Sequence, residues 1–122
     1  MKALRIAVAT AAAAFLLSGS SARADDITAS KLQGWLDQGG EPREMALVAL
    51  NSYAQAFVVA NSFVKTKGQP PMFCQPQKLA IAAEQSARIL ADYLKRRPDT
   101  ASLPAPIVLL IALEDTFPCA PD

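Results

Sequence analysis

The stretch MALVALNSYAQAFVVANSFVKT, residues 45–66, decides the fold predicted for this chain. Its apolar side chains recur every three to four residues, which is the period of an α-helix. They form two stripes, one made of Tyr53, Phe57, Ala60 and Val64 and the other of Met45, Val48, Ser52, Ala56, Val59 and Phe63. A helix with two apolar stripes is expected to be buried on more than one side. The stretch therefore predicts a long helix inside a helical domain.

Glycine and proline residues indicate where this helix and the one before it begin and end. Thr28 is a suitable N-cap for a first helix, and Gly39-Gly40 is expected to stop it. Pro42 suits the first position of the long helix, because a proline there loses no hydrogen bond. Gly68 is expected to end the long helix.

Two more helices are predicted in the C-terminal half. Pro76 is expected to open the third and Pro98 to close it, with Lys95–Arg97 on the last turn, where cations complement the helix dipole. Residues 107–113 are short and apolar enough for a buried strand, but nothing else in the chain offers a strand partner. A fourth helix over about residues 104–116 is therefore predicted. The fold class is all-α, a compact domain of four to five helices.

The N-terminus has the pattern of a secretory signal peptide. Lys2 and Arg5 precede a short apolar run at residues 6–17, and Ala22-Arg23-Ala24 fits a small-residue cleavage site. The alternative is a membrane anchor, but this run is shorter than the roughly 20 apolar residues that span a bilayer. We expect residues 1–24 to be removed after Ala24. Residues 25–122 would remain in the periplasm as a single helical domain with no membrane attachment.

The two cysteines are expected to form one intrachain disulfide. Cys74 alone could be a nucleophile, a metal ligand or a buried apolar residue, but Cys119 is the only other cysteine. Two cysteines in an exported chain usually pair. In the chain-entropy model such a bridge stabilises the fold by about 4 kcal/mol.

Composition argues against several classes of function. Residues 25–122 hold 9 cations and 11 acids, a net charge of −2, so no basic surface for nucleic acid is predicted. The chain has no histidine, which excludes Ser-His triads, Cys-His dyads and most zinc sites. Acidic pairs such as Glu114-Asp115 are typical of a solvated surface. We therefore predict no enzyme, with no catalytic residue, cofactor or metal.

A protein-binding element is easier to find than a catalytic one. The stretch before Cys74 combines a double proline with large apolar side chains, and the disulfide would hold it rigid, which lowers the entropy cost of binding. The candidate partner-binding residues are Lys67, Gln69, Pro70, Pro71, Met72 and Phe73. For Phe73 the alternative is burial in the core beside Cys74.

The C-terminal two-thirds of the chain resembles the Rap/Tai type VI secretion immunity proteins. The motifs that carry the resemblance are Phe73-Cys74-Gln75-Pro76, then Gln85, Ile89-Leu90, Tyr93-Leu94 and Pro98, and finally ALEDTFPC at residues 112–119. The resemblance implies an all-α fold, a disulfide between the two cysteines and binding to a peptidoglycan-cleaving or other periplasmic effector.

Two functions follow as hypotheses. The first is a periplasmic immunity-like protein that binds a secreted toxin, such as a peptidoglycan amidase, and occludes its site. The alternative is a small periplasmic helper, either a stress chaperone or an envelope adaptor, with no toxin partner.

The broad apolar coverage of residues 45–66 also leaves two arrangements open. Either neighbouring helices bury both stripes, or the protein forms a homodimer.

Overall fold

A computed structural model describes residues 27–76 and 78–121 of the chain. The predicted signal peptide and its cleavage site lie outside these residues. Within these two ranges the chain forms four α-helices: α1 at Ala29–Gln38, α2 at Gly40–Thr66, α3 at Ala83–Arg96 and α4 at Ala105–Thr116. The 3-10 turn Pro98–Thr100 joins α3 to the segment before α4. The predicted all-α class with four to five helices is confirmed.

The start of α1 is held by its own cap and by the segment that leads into α4. The hydroxyl of Thr28 accepts a hydrogen bond from the backbone N–H of Lys31 over 3.2 Å, so the predicted N-cap is confirmed. The N–H of Ala29 donates to the carbonyl of Leu103 over 2.9 Å. Backbone donors that a helix start normally leaves without partners are therefore satisfied within the fold.

Two glycines separate α1 from α2. Gly39 has φ +71° and Gly40 has φ +59°, both in the left-handed region that favours glycine. The predicted stop of α1 at this pair is confirmed. However, α2 already begins at Gly40, so Pro42 is its third residue and not its first. Pro42 still lies in the first turn, where its missing N–H costs no helical hydrogen bond.

The core lies on one side of α2. Ala46, Leu50 and Ala54 are fully buried against the other helices, and α1, α3 and α4 all contact α2. The stripe that contains Tyr53 and Phe57 borders this line and is half-buried.

The second predicted stripe of α2 faces away from the core, so the expectation that neighbouring helices cover it is wrong. Its six members are all exposed, namely Met45, Val48, Ser52, Ala56, Val59 and Phe63. Val48 is 68% exposed, Val59 69% and Phe63 60%. The reason is geometric: three helices of 10 to 14 residues pack against one side of a helix of 27 residues. In the described part of the chain, no element covers the opposite side.

The third helix begins later than predicted. Pro76 does not open α3; it accepts a hydrogen bond from the N–H of Leu79 over 2.9 Å in a turn. The chain then runs without helical structure to Ala82, which caps α3 in an extended conformation with φ −75° and ψ 158°. Ile81, in this segment, is 3% exposed and packs into the core. This non-helical segment therefore contributes to the core where additional turns of α3 had been predicted. The predicted basic last turn is confirmed, since α3 ends at Arg96.

Candidate functional site

The candidate site is the loop that leaves α2 at Lys67 and ends at the disulfide residue Cys74, called the clamped loop below. Gly68 turns the chain out of α2 with φ +71°. Its N–H donates to the carbonyl of Lys65 over 3.0 Å, and the N–H of Gln69 donates to that of Val64, also over 3.0 Å. This pair of bonds is the Schellman arrangement, which satisfies the last helical carbonyls. The loop therefore leaves the helix in a fixed direction.

Asn61 holds the middle of the clamped loop against α2. Its side chain is buried, and its Oδ1 accepts a hydrogen bond from the backbone N–H of Met72 over 2.6 Å. Its Nδ2 donates to the carbonyl of Phe73 over 2.6 Å. A carboxamide carries both a donor and an acceptor, so one residue satisfies two backbone groups that a buried loop would otherwise leave without partners.

Sequence reasoning gave Asn61 no role. One signal was available: Asn61 lies seven residues after Ala54, on the line of α2 that faces the core. A polar side chain on such a line must find partners, because a buried polar group without a hydrogen bond is costly.

The far end of the clamped loop is fixed to the C-terminal segment. The predicted disulfide joins Cys74 to Cys119 with the Cα atoms 4.9 Å apart, so this prediction is confirmed. The N–H of Cys74 also donates to the carbonyl of Phe117 over 2.8 Å. One covalent bond and one backbone hydrogen bond thus hold the same residue.

The predicted partner-binding residues divide into exposed and buried groups. Lys67, Gln69 and Pro70 are exposed, whereas Pro71 and Met72 are half-buried. The side chain of Phe73 is 1% exposed and lies in the core, which is the alternative stated for it. Phe73 therefore anchors the loop from beneath and offers no side-chain surface to a partner.

A shallow groove of about 500 Å³ lies between the clamped loop and the C-terminal segment. Gln69, Pro70 and Pro71 line one wall, and Cys119 and Ala120 line the other. The sulfur of Cys119 lies 3.8 Å from the carbonyl oxygen of Pro71, and as a disulfide sulfur it carries no proton to donate. The loop thus forms a ridge beside a groove, a shape that can fit both a cleft and a projecting side chain of a protein partner.

The side chains of the site are suited to binding another molecule. Within the described ranges, no cluster of histidine, cysteine, aspartate or glutamate is placed to hold a metal ion. The resolved pKa shifts lie elsewhere, in the 3-10 turn and its cap: a hydrogen bond from Arg97 lowers the pKa of Asp99, and the same bond raises the pKa of Arg97. Rigid backbone, exposed proline and the nearby cation of Lys67 are features of a recognition surface.

Comparison with known proteins places the chain in a family. No curated protein and no solved structure matches the chain. The family model of Rap1a immunity proteins matches residues 23–119, which include the clamped loop, both cysteines and all four helices. The chain therefore belongs to the Rap1a immunity protein family.

Proposed function

We propose that this protein is a periplasmic immunity protein that binds a toxin and occludes its active site with the clamped loop. Membership of the Rap1a family implies a role in toxin immunity. The single observation that carries the finer proposal is the fixation of the loop at its start, middle and end, by Gly68, Asn61 and Cys74. A loop ordered before binding loses little conformational entropy when it enters a partner.

Two features support the periplasm as the place of action. Residues 1–24 have the charge and apolar pattern of a cleavable signal. The bridge between Cys74 and Cys119 belongs to an oxidising compartment, since cytosolic thiols are kept reduced. Peptidoglycan lies in the periplasm and is therefore a substrate that a toxin acting there can reach. We propose a peptidoglycan-cleaving enzyme, such as an amidase, as the toxin class.

Exposed side chains of the loop are expected to make the toxin contacts. Gln69 and Pro70 project from the ridge, and Met72 is half-buried beside it. Lys67 adds a positive charge at the start of the loop, which suits an acidic rim on the partner. Phe73 contributes by supporting the backbone from the core.

The test is calorimetric titration of the oxidised protein with the product of the adjacent open reading frame. We expect one-to-one binding, and at least a tenfold increase in Kd for the double variant Gln69→Ala with Met72→Ala, equivalent to about 1.4 kcal/mol. Leu103→Ala is a matched control, because Leu103 is a partly exposed apolar residue outside the loop. Equal Kd values for the double variant and the wild type would show that the loop is not the binding element.

A further inference from the structure

The charged residues of the chain are unevenly distributed around the clamped loop. Residues 45–83 contain three lysines, Lys65, Lys67 and Lys78, and no aspartate or glutamate. Of the 9 cations and 11 acids in residues 25–122, the other six cations and all eleven acids lie outside this stretch. The clamped loop lies inside it, with one lysine just before the loop, one at its start and one just after its end. The loop is therefore accompanied by positive charge in a chain that is negative as a whole.

The three lysines carry charges that the described part of the fold does not neutralise. Their side chains are exposed, and none lies within 4.0 Å of a carboxylate of the described residues. Arg43, by contrast, donates to Glu84 over 2.6 Å. The ammonium of Lys67 lies 5.4 Å from the centre of the Phe63 ring, a contact that leaves its charge in place. All three cations can therefore act on an approaching molecule.

A small pocket lies between the second half of α2 and the end of the clamped loop, and it is called the loop pocket below. Its volume is about 150 Å³. Pockets for drug-sized ligands begin at roughly 300 Å³, so the loop pocket suits a single side chain. One charged residue, Lys65, is found among the described residues that line it. The lining residues are Val58, Asn61, Ser62, Lys65, Phe73 and Gln75.

The polar neighbours of Lys65 in the loop pocket are compatible with an anion. The amide nitrogen of Gln75 donates to the carbonyl of Leu79 over 3.1 Å and carries a second proton. The carbonyl oxygen of Gln75 is buried, so it presents no acceptor to an entering group. The amide nitrogen of Asn61 likewise donates one proton, to the carbonyl of Phe73, and carries another. The hydroxyl of Ser62 can donate or accept.

We propose that the loop pocket takes a carboxylate side chain of the toxin, paired with Lys65, and that Lys67 and Lys78 attract the acidic surface around it. The inference rests on the proposed function, because it names the chemistry of the partner that the clamped loop binds. An ammonium and a carboxylate form a charge-assisted hydrogen bond, which is stronger than a neutral one. Asn61 both lines the pocket and holds the backbone of the loop, so pocket and loop keep one relative position.

An anionic membrane surface is the competing partner for these lysines. Segments that bind anionic lipids typically have four to eight clustered cations, whereas this stretch has three within 14 residues. The net charge of −2 in residues 25–122 also opposes attachment to such a surface. A pocket for one side chain beside a rigid loop favours a protein partner over a lipid layer.

The salt dependence of association tests the attraction. The probe is the product of the adjacent open reading frame, and stopped-flow mixing measures the rate constants. The association rate constant is expected to fall about tenfold between about 20 mM and about 500 mM NaCl, because salt screens charges that steer two proteins together. Lys67→Met and Lys78→Met are each expected to lower the association rate constant and leave the dissociation rate constant unchanged. An association rate constant that does not depend on salt would overturn the attraction.

Lys31→Met is the matched control for these substitutions. Lys31 is an exposed cation of α1, the helix whose Leu36 carbonyl accepts a hydrogen bond from Arg43 over 3.3 Å. Arg43 and Lys65 are 22 residues apart on α2, which is about 33 Å at 1.5 Å per residue. Lys31 therefore lies near the opposite end of α2, and its loss should leave both rate constants unchanged. Equal losses for Lys31→Met and Lys67→Met would show that net charge acts in place of the cations at the loop.

Substitutions of Lys65 test the pocket. Lys65→Met keeps the length of the side chain and removes its charge, so the dissociation rate constant and the Kd are expected to rise about tenfold. Lys65→Glu is expected to raise both further, because a carboxylate would then face the carboxylate of the toxin. A Kd for Lys65→Met equal to that of the wild type would overturn the pocket. Equal effects of Lys65→Met and Lys65→Glu would also overturn it, since they would show that the partner group is not charged.

The outcomes separate this inference from the proposed function. A wild type that does not bind the toxin at any salt concentration would remove the proposed function and this inference with it. A wild type that binds with rate constants unaffected by salt and by the lysine substitutions would remove this inference alone. Binding to phosphatidylglycerol vesicles that Lys65→Met abolishes, with the Kd for the toxin unchanged, would assign the lysines to a membrane and overturn the inference.

Discussion

Asn61 is the residue whose side chain holds the clamped loop to α2. Asn61→Asp keeps an acceptor for the N–H of Met72 but loses the donor to the carbonyl of Phe73, and it places a carboxyl group in a site that is 7% exposed. We expect the free energy of unfolding to fall by about 2 kcal/mol, the range seen when a buried polar group loses its partner. Urea denaturation measures this.

The neighbouring residue provides a control for that substitution. Ser62 is exposed, and its hydroxyl donates to the carbonyl of Val58 within α2 over 3.0 Å. Ser62→Ala is expected to change the stability by no more than about 0.5 kcal/mol. Similar losses for Asn61→Asp and Ser62→Ala would mean that the two short hydrogen bonds of Asn61 contribute nothing measurable.

Some residues of the clamped loop could be assigned from the sequence, whereas others depend on tertiary contacts that the sequence does not show. The exposure of Gln69 and Pro70 agrees with the predicted loop, because proline pairs and glycine favour chain reversals at the surface. Phe73 was named both as a binding residue and as a core residue, and its burial depends on how α2 and the C-terminal segment meet. Asn61 was missed for the same reason: its partners are backbone groups eleven and twelve residues away.

At the level of elements, the short 3-10 turn Pro98–Thr100 carries a pH-dependent pair. The guanidinium of Arg97 donates to both carboxylate oxygens of Asp99, over 3.1 Å and 2.9 Å. This hydrogen bonding lowers the pKa of Asp99 below its ordinary value. A carboxyl group with a depressed folded pKa stabilises the fold above its unfolded pKa and loses that effect as pH falls through the folded pKa.

Asp99→Asn therefore tests the pair through its pH dependence. Since both side chains are exposed, the effect should be small. The midpoint of thermal unfolding of Asp99→Asn is expected to lie slightly below that of the wild type at pH 7. The gap should shrink from about pH 5 downwards. A gap that stays constant between pH 7 and pH 3 would show that the charge of Asp99 is not its cause.

The helix boundaries show which signals act locally. The stop of α1 at Gly39-Gly40, its cap at Thr28 and the end of α2 just before Gly68 follow from the conformations that these residues favour, so the sequence was enough to predict them. The start of α3 was not predictable from Pro76, because the burial of Ile81 and the tie at Cys74 hold residues 74–76 and 78–82 out of a helix. Tertiary contacts commonly override local preference in this way.

For the whole molecule, the disulfide is the strongest single constraint on the unfolded chain. It joins residues 45 positions apart and encloses α3 and α4. The double variant Cys74→Ser with Cys119→Ser is expected to lose about 4 kcal/mol of unfolding free energy, mainly because its unfolded chain gains conformational freedom. Urea denaturation with and without a reductant checks this.

The reductant itself supplies the control for this experiment. It should destabilise the wild type and leave the double variant unchanged, since only the wild type has a bond to reduce. Equal stability of the oxidised wild type and the double variant would mean that strain in the folded protein cancels the entropic effect.

The clamped loop is held by backbone hydrogen bonds, the disulfide and the buried Phe73, and not by its exposed side chains, which has a consequence for evolution. The N–H of Met72, the carbonyl of Phe73 and the N–H of Cys74 accept or donate the hydrogen bonds that attach the loop, whereas the side chains of Gln69 and Pro70 are exposed to solvent. Substitutions at those two exposed positions can therefore accumulate without weakening the fold. If this ridge binds the toxin, as proposed above, a lineage of such proteins could exchange one toxin for another by changing the ridge alone, while the disulfide and Asn61 stay the same.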